Sequence, residues 1–433
     1  MEHHILQRNA DTFRARRTAH TAVTRSNNCS CRHSSYYQSF QRPVVKMVAA
    51  TADFDAAARQ EEGQGEGMKN VFCMEGGQGE TSYTNNSQVQ YRNIQMVVHV
   101  LKETLDMIRT PHRPEKLLTA ADLGCSCGQN TLFVADFIVQ HMTDLYASHG
   151  HDAPEVFFYF SDLPSNDFNT LFHLLPDSTA AAGKDTRRRY FAAGVPGSFY
   201  DRLFPERFID AFTSTFSLHW LSQVPREVVD KTSPAYNRGK VFVHGAPAAT
   251  GAAYRRQFQS DLASFLRRRA AELKPGGVMF LLCLGRPSAD PTDQGRVRFL
   301  FGSLFEDSYV GRPRPRGLMA DEEMDGFNVP LYAATLEEFQ EVVDAEGSFR
   351  INRLEMVTGS PPVVDRAGDP ADVGRTVANN ARSFVGPLVD ARVAKAAVAD
   401  ELFARLQRRA EGRAQELMEE MRLPHIVCSL SLA

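Results

Sequence analysis

LLTAADLGCSCGQN, residues 117–130, opens as an apolar run and closes as a glycine-bearing turn. Residues 117–123 read as a short buried strand ending in Asp-Leu-Gly, and helical periodicity returns over 130–146. A strand that turns straight into a helix is the unit from which α/β sheets are built. Gly124 and Gly128 let the backbone turn tightly and approach a ligand closely. The spacing is not G-x-G-x-x-G, so the dinucleotide fingerprint is missing and a dehydrogenase is excluded. Asp122 at the strand end suits a cationic or hydroxyl-bearing ligand better than a pyrophosphate; a plain strand-to-helix turn accounts for the same pattern.

Outward from that turn the pattern repeats. Residues 88–107 have helical periodicity, 156–160 (VFFYF) read as a buried strand and 208–213 as another. Residues 263–273 form a basic amphipathic helix, Lys-Pro-Gly-Gly at 274–277 breaks it, and 278–284 is a core strand. Residues 349–357 and 425–432 alternate as strands do. Strands alternating with helices predict an α/β fold with a mostly parallel sheet covered on both faces. The stretches 286–345 and 359–390 exceed a simple crossover and are expected to form a cap over the strand ends.

Composition narrows the function. The 433 residues carry 49 basic and 52 acidic side chains, a net charge of -3, which argues against a nucleic-acid partner. The longest clean apolar run, 278–284, is far short of the ~20 residues that span a bilayer, so no membrane segment is expected. Seven cysteines (29, 31, 73, 125, 127, 283 and 428) without a secretory signal read as reduced and cytoplasmic. The two C-x-C pairs are too closely spaced for the usual zinc sites. Residues 1–67 differ from the rest: no acidic residue occurs from 12 to 52, and 61–67 (EEGQGEG) form a linker. An Arg- and Ser-rich leader fits a plastid or mitochondrial transit peptide, but with no clear amphipathic helix in it the favoured reading is a disordered extension, or an overrun with the true start at Met47 or Met68.

A second acidic strand end lies in FSDLPSNDFN, residues 160–169. Asp162 stands where open α/β sheets grip a ribose through its hydroxyls. It lies 34 residues beyond Gly128, farther than the ~20 of a dinucleotide unit, with a long helix and loop between. Asp167 reads equally as a helix cap. Two acidic strand ends and no phosphate-cradling loop suit S-adenosylmethionine (SAM), which has cationic sulfonium and amino groups and no phosphate.

Four further motifs make a specific resemblance. GETSYTNNS (79–87) followed by Gln88-Val89-Gln90, GVPGSFY (194–200) followed by RLFP (202–205), FSLHWLSQVP (216–225) and MDGFNVP (324–330) resemble, in order, the segments of the plant SABATH methyltransferases. The resemblance runs from about residue 71 onward. Within the family the chain looks most like the branch that methylates the indole-3-acetate carboxylate, through residues 161–176, 235–245 (AYNRGKVFVHG) and 283–295 (CLGRPSADPTDQG). The resemblance implies a Rossmann-like SAM-dependent methyltransferase domain over 68–433 with a helical cap. It implies that Tyr83, Ser87, Cys125, Asn130, Asp162, Leu163, Ser198 and Phe199 line the SAM site, with Asp122 at the methionine end. Gln90 and Trp220 would hydrogen-bond the carboxylate of a small aromatic acid, and Phe216 and His219 would wall its pocket. Some family members hold magnesium at positions matching Asn237, Asp325, Phe327 and Asn328, and family members are commonly homodimers.

Plainer readings stand beside these. Trp220, the only tryptophan, also reads as a core anchor, and His219 as a buried neutral histidine with a backbone partner. Ser198 and Phe199 read as turn and core, and Asp325 as a surface turn residue. The chain departs from the family at Glu75, Cys127 and Gln129, and at 310–317 (VGRPRPRG), where two prolines interrupt a helix that lines the acid pocket. Phe216 stands where salicylate-type relatives often carry Tyr. The expected activity is methyl transfer from SAM to indole-3-acetate with positioning residues only. Salicylate, benzoate or jasmonate as the acid, methylation at nitrogen as in the xanthine branch, or a non-catalytic SAM- and acid-binding protein are the alternatives.

Overall fold

Short apolar runs separated by helices do assemble into one sheet. The computed structural model describes residues 73–108, 116–175, 189–310, 326–393 and 396–433. The leader 1–67, residues 311–317 of the proline-bearing interruption and Asp325 lie outside the described residues.

In chain order, α1 (Tyr83–Asn86), α2 (Gln88–Met96) and α3 (Val98–Asp106) precede β1 (Leu117–Leu123). Then come α4 (Gln129–Ser148), β2 (Glu155–Asp162), α5 (Phe168–Leu174), β3 (Phe191–Pro196), β4 (Ile209–Thr215), α6 (Ala248–Glu272) and β5 (Leu273–Leu284). A π-helix over Phe299–Glu306 runs into α7 (Asp307–Val310). The chain continues through α8 (Leu336–Glu346), β6 (Phe349–Thr358), α9 (Pro370–Arg392), α10 (Ala396–Glu411), α11 (Ala414–Glu420) and β7 (Pro424–Leu432).

The seven strands lie in the order β3-β2-β1-β4-β5-β7-β6. Strands β1 to β5 pair in parallel, and β7 is antiparallel to both neighbours. Strand side chains alternate between two cores. Met279, Leu281 and Cys283 of β5 face one; Val278, Phe280 and Leu282 face the other. Burial on both faces explains why β5 reads as a continuous apolar run rather than an alternating one.

Two expectations need correction. The helix expected over 88–107 is two helices, because Val97 adopts φ -110 and ψ 9 and its N–H bonds to Ile94 and Gln95 carbonyls. The joint falls at the β-branched pair Val97-Val98, and the period survives because Ile94, Val97 and Leu101 still enter one core. The helix expected over 263–273 begins at Ala248, and it is not simply basic on its outer face. Arg269 is wholly buried, paired with Glu272 at 2.8 Å. Among the described residues no helix is long and apolar enough to cross a membrane.

Asp167 does cap α5, accepting the Thr170 N–H at 2.9 Å. It also accepts the Gly77 N–H at 2.9 Å, tying the segment before α1 to the end of β2.

Candidate active site

The carboxyl ends of β1, β2 and β4 converge on the residues singled out in the sequence. After β1, the Gly124 and Cys125 N–H groups both donate to the Ser161 carbonyl, at 2.8 and 3.0 Å, fastening the turn to β2. Gly124 has φ +78, and a Cβ there would fall 2.1 Å from Ser217 Oγ, so only glycine fits. Ser126 adopts a left-handed φ of +54, uncommon for a non-glycine residue, and aims its N–H at Asp162 Oδ2, 2.7 Å away. The other Asp162 oxygen accepts the Leu163 N–H at 2.7 Å.

Burial pushes the Asp162 carboxyl up to about 6, against the pull of those two N–H groups. Asp122 is 1% exposed, and burial raises it to about 6 as well, opposed by the Thr131 hydroxyl and by the Thr213 hydroxyl, which donates to Oδ1 at 2.7 Å. Asp122 Oδ2 has only the Thr131 hydroxyl near it, in a geometry too poor for a full hydrogen bond. A buried carboxylate oxygen so poorly partnered is costly, and an ammonium group would satisfy it.

Beyond the turn, Gly128 brings the backbone to the Tyr83 ring: its Cβ position lies 3.4 Å from that ring and 3.7 Å from Ser87 Oγ. Asn130 donates to the Ser87 carbonyl at 3.3 Å, and the Thr84 hydroxyl donates to the Cys127 carbonyl at 3.2 Å. Burial raises the Tyr83 hydroxyl and the Cys125 thiol above their ordinary values, so both stay protonated at neutral pH. Phe199 reaches the same turn, with Cε1 3.5 Å from the Gly124 Cβ position, and Ser198 Oγ accepts the Tyr200 N–H at 3.2 Å.

Sequence reasoning missed what holds that last loop. The buried Arg269 donates to the carbonyls of Phe199 and Asp201, both at 2.8 Å, and Glu272 accepts from the Leu203 and Phe204 N–H groups. Arg and Glu at i and i+3 were visible in the sequence; their inward orientation was not.

On the far side of Tyr83, one cavity is lined by Gln90, Phe216, His219 and Trp220 together. Phe216 has φ +61, a left-handed conformation that costs energy for a bulky side chain, and its N–H donates to the Leu282 carbonyl at 2.7 Å. His219 Nδ1 accepts the Leu284 N–H at 3.3 Å, and burial pushes its imidazole down to about 3, so the ring is neutral. The plain reading of His219 and its chemical one therefore coincide: a buried neutral ring with a backbone partner, facing the cavity. Gln90 Oε1 is buried without a partner. Phe301, Phe384 and Val377 close the apolar wall, and His425 joins it from β7. None of these four was singled out from sequence; the signal for His425 was a polar residue second in an otherwise buried strand.

Of the four positions suggested for magnesium, Asn237, Phe327 and Asn328 are described, while Asp325, the carboxylate that a hard dication favours, lies outside the described residues. Asn237 Nδ2 donates to Asn328 Oδ1 at 2.7 Å, so that oxygen is engaged, and the Phe327 ring packs on Tyr309 at 5.0 Å. Asn237 Oδ1 is the unpartnered oxygen of the set. Among the described residues no group of three His, Cys, Asp or Glu could hold a metal.

Residues 69–433 match the family described as SAM dependent carboxyl methyltransferase. The chain belongs to that family. The match covers every described strand and helix, and it is the same SABATH family whose motifs the sequence carries. Among relatives of these carboxyl methyltransferases, indole-3-acetate O-methyltransferase 1 of Oryza sativa subsp. japonica is 54% identical over 380 residues, covering 84% of this chain and 94% of that protein. Indole-3-acetate O-methyltransferase 1 of Arabidopsis thaliana is 50% identical over 372 residues, covering 84% and 96%. The solved structure of loganic acid methyltransferase with SAH is 31% identical and superposes with a TM-score of 0.73 over 83% of this chain and 98% of that one. SAM is accordingly the methyl donor, and the poorly partnered Asp122 oxygen with the glycine-lined turn fits its charge and shape.

Proposed function

We propose that the protein methylates the carboxylate of indole-3-acetate, giving the methyl ester and S-adenosylhomocysteine. The observation that carries the reading is an apolar cavity in which Tyr83 of the cofactor side meets Gln90, Phe216, His219 and Trp220 of the acid side. The names of the two relatives that are half or more identical support indole-3-acetate as the acid.

SAM supplies an electrophilic methyl on a sulfonium; a carboxylate oxygen takes it as the carbon–sulfur bond breaks and the electron pair stays on sulfur. A carboxylic acid with a pKa near ~4 is already an anion at neutral pH, so it needs no general base. The protein's task is therefore alignment and exclusion of water. Asp122 would hold the amino end and Asp162 the ribose. Tyr83, Ser87, Cys125, Asn130, Leu163, Ser198 and Phe199 would complete that wall. The Gln90 amide and Trp220 indole N–H would clamp the acid as neutral donors. Neutral donors suit the step, because a cationic clamp would hold the ground-state carboxylate too tightly. His219, neutral with its proton on Nε2, adds a third such donor. No step is assigned to a metal.

The test is the full chain with methyl-labelled SAM and indole-3-acetate, salicylate, benzoate or jasmonate in separate reactions, with extraction of the ester. Ester chiefly from indole-3-acetate is the expected result; ester chiefly from another acid overturns the substrate, and none from any overturns the activity. A homodimer, supported by the family resemblance, in the cytoplasm, supported by seven cysteines without a secretory signal, completes the proposal and is checked by light scattering and by imaging of a tagged chain.

A further inference from the structure

Trp220 lines the acid-side cavity from a segment whose main chain is tied down on several sides. Its own N–H donates to the Ser217 carbonyl at 3.0 Å. Its two neighbours are fastened to the stretch before α8: the His219 carbonyl accepts the Tyr332 N–H at 3.0 Å, and the Leu221 N–H donates to the Pro330 carbonyl at 2.8 Å. The Trp220 carbonyl is held differently. It accepts the Tyr200 hydroxyl at 2.7 Å. Tyr200 directly follows Ser198 and Phe199, in the loop after β3 that forms part of the cofactor wall.

That loop is a firm mount. Arg269 holds the carbonyls on either side of Tyr200, those of Phe199 and Asp201, and the Ser264 hydroxyl donates to the Tyr200 carbonyl at 3.3 Å. The Tyr200 N–H donates to Ser198 Oγ at 3.2 Å, and its ring packs on that of Phe199 at 4.7 Å. Ser217 also ties the two sides, its hydroxyl reaching the Gly124 carbonyl at 3.2 Å. It shares that hydroxyl with the Thr215 carbonyl at 3.3 Å, and it stands three residues ahead of Trp220. The Tyr200 hydroxyl meets the Trp220 peptide itself.

Methyl transfer depends on where the acid stands relative to the donor, and a small misplacement costs rate rather than binding. We propose that Tyr200 is a positioning residue: its hydroxyl fixes the Trp220 peptide to the cofactor loop and so sets the acid in register with the methyl group. The proposal rests on the reading of Trp220 as the acid clamp and of Ser198 and Phe199 as cofactor wall. Tyr200 itself touches neither reacting atom; it acts through Trp220.

The experiment uses the full chain and Tyr200→Phe, which removes one hydroxyl and keeps the ring. With the acid that wild type esterifies best, kcat is expected to fall about 5- to 20-fold, while KM for the acid and affinity for S-adenosylhomocysteine stay within about threefold. In a Trp220→Phe background the same substitution should change kcat less than about twofold, because the residue it acts through is gone. Trp220 is the only tryptophan, so its emission, excited beyond tyrosine absorption, reports on this residue alone. Acrylamide quenching of that emission should rise in Tyr200→Phe. An unchanged kcat, a loss confined to KM or to cofactor affinity, additive losses in the double variant, or unchanged quenching each overturns the proposal. If wild type esterifies another acid, the substrate reading fails and this inference is decided with that acid. If it esterifies none, the activity reading fails, and the quenching alone decides whether Tyr200 positions Trp220.

Discussion

The cofactor side and the acid side of the site are built in different ways. On the cofactor side, main chain does most of the work: Gly124, Cys125 and Ser126 N–H groups bond to the Ser161 carbonyl and the Asp162 carboxylate, all within two adjacent strand ends. On the acid side, side chains do it, gathered from α2, the segment after β4, the π-helix, α9 and the start of β7. A ligand common to every member of a family can be met by backbone geometry fixed at the sheet. A ligand that differs between members needs walls that can be exchanged one side chain at a time.

Breaking the backbone side has the largest expected effect. Gly124→Ala places a Cβ 2.5 Å from that of Ser217 at φ +78. We expect loss of measurable SAM binding by calorimetry and a stability loss of about 2–4 kcal/mol by thermal melting. Retention of wild-type SAM affinity would contradict the account of that turn. Trp220→Phe breaks the other side: kcat/KM for the acid should fall about 10- to 100-fold while SAM affinity stays within about twofold. A parallel loss of SAM affinity would show that the two sides are not separable.

The pH dependence sharpens the contrast. Burial raises Asp122 and Asp162 from 3.8 to about 6. Their folded values exceed the unfolded ones, so the unliganded chain holds that stabilisation below about pH 4 and loses it as pH rises through about 6. A cationic ligand needs the ionised carboxylates, so affinity for SAM should run the other way, falling about tenfold from pH 7.5 to pH 5. Calorimetric titration at both values checks it, and a flat profile would separate the two carboxylates from SAM binding. The acid-side histidines, pushed down to about 3, should contribute no titration over that range. The smallest effect is expected from Phe216→Tyr, a few-fold gain for salicylate relative to indole-3-acetate in paired ester assays, because a hydroxyl in an apolar wall discriminates weakly.

What was legible in the sequence follows the same division. Asp122, Gly124, Asn130 and Asp162 lie in two local stretches whose strand–turn–helix pattern places them without knowledge of the rest. Phe301 and Phe384 reach the cavity only through the folding of distant segments, and nothing in their immediate neighbours marks them; for His425 the one local signal is a polar side chain near the start of a buried strand. Arg269 was misread for a related reason. A helix rich in arginine looks like a solvated face, and whether one arginine turns inward depends on loop carbonyls some 70 residues earlier. The break at Val97 escaped notice because the apolar period continues through it.

Strand β7 comes after every other strand in the chain yet sits inside the sheet, between β5 and β6. During synthesis β5 and β6 must therefore wait with open edges, which are templates for pairing with other chains. His425 arrives on that same late strand, so the cavity acquires its last wall only when the sheet is closed. Completion of the fold and completion of the acid pocket are one event, and a chain caught before it would bear exposed strand edges and an unfinished pocket at once.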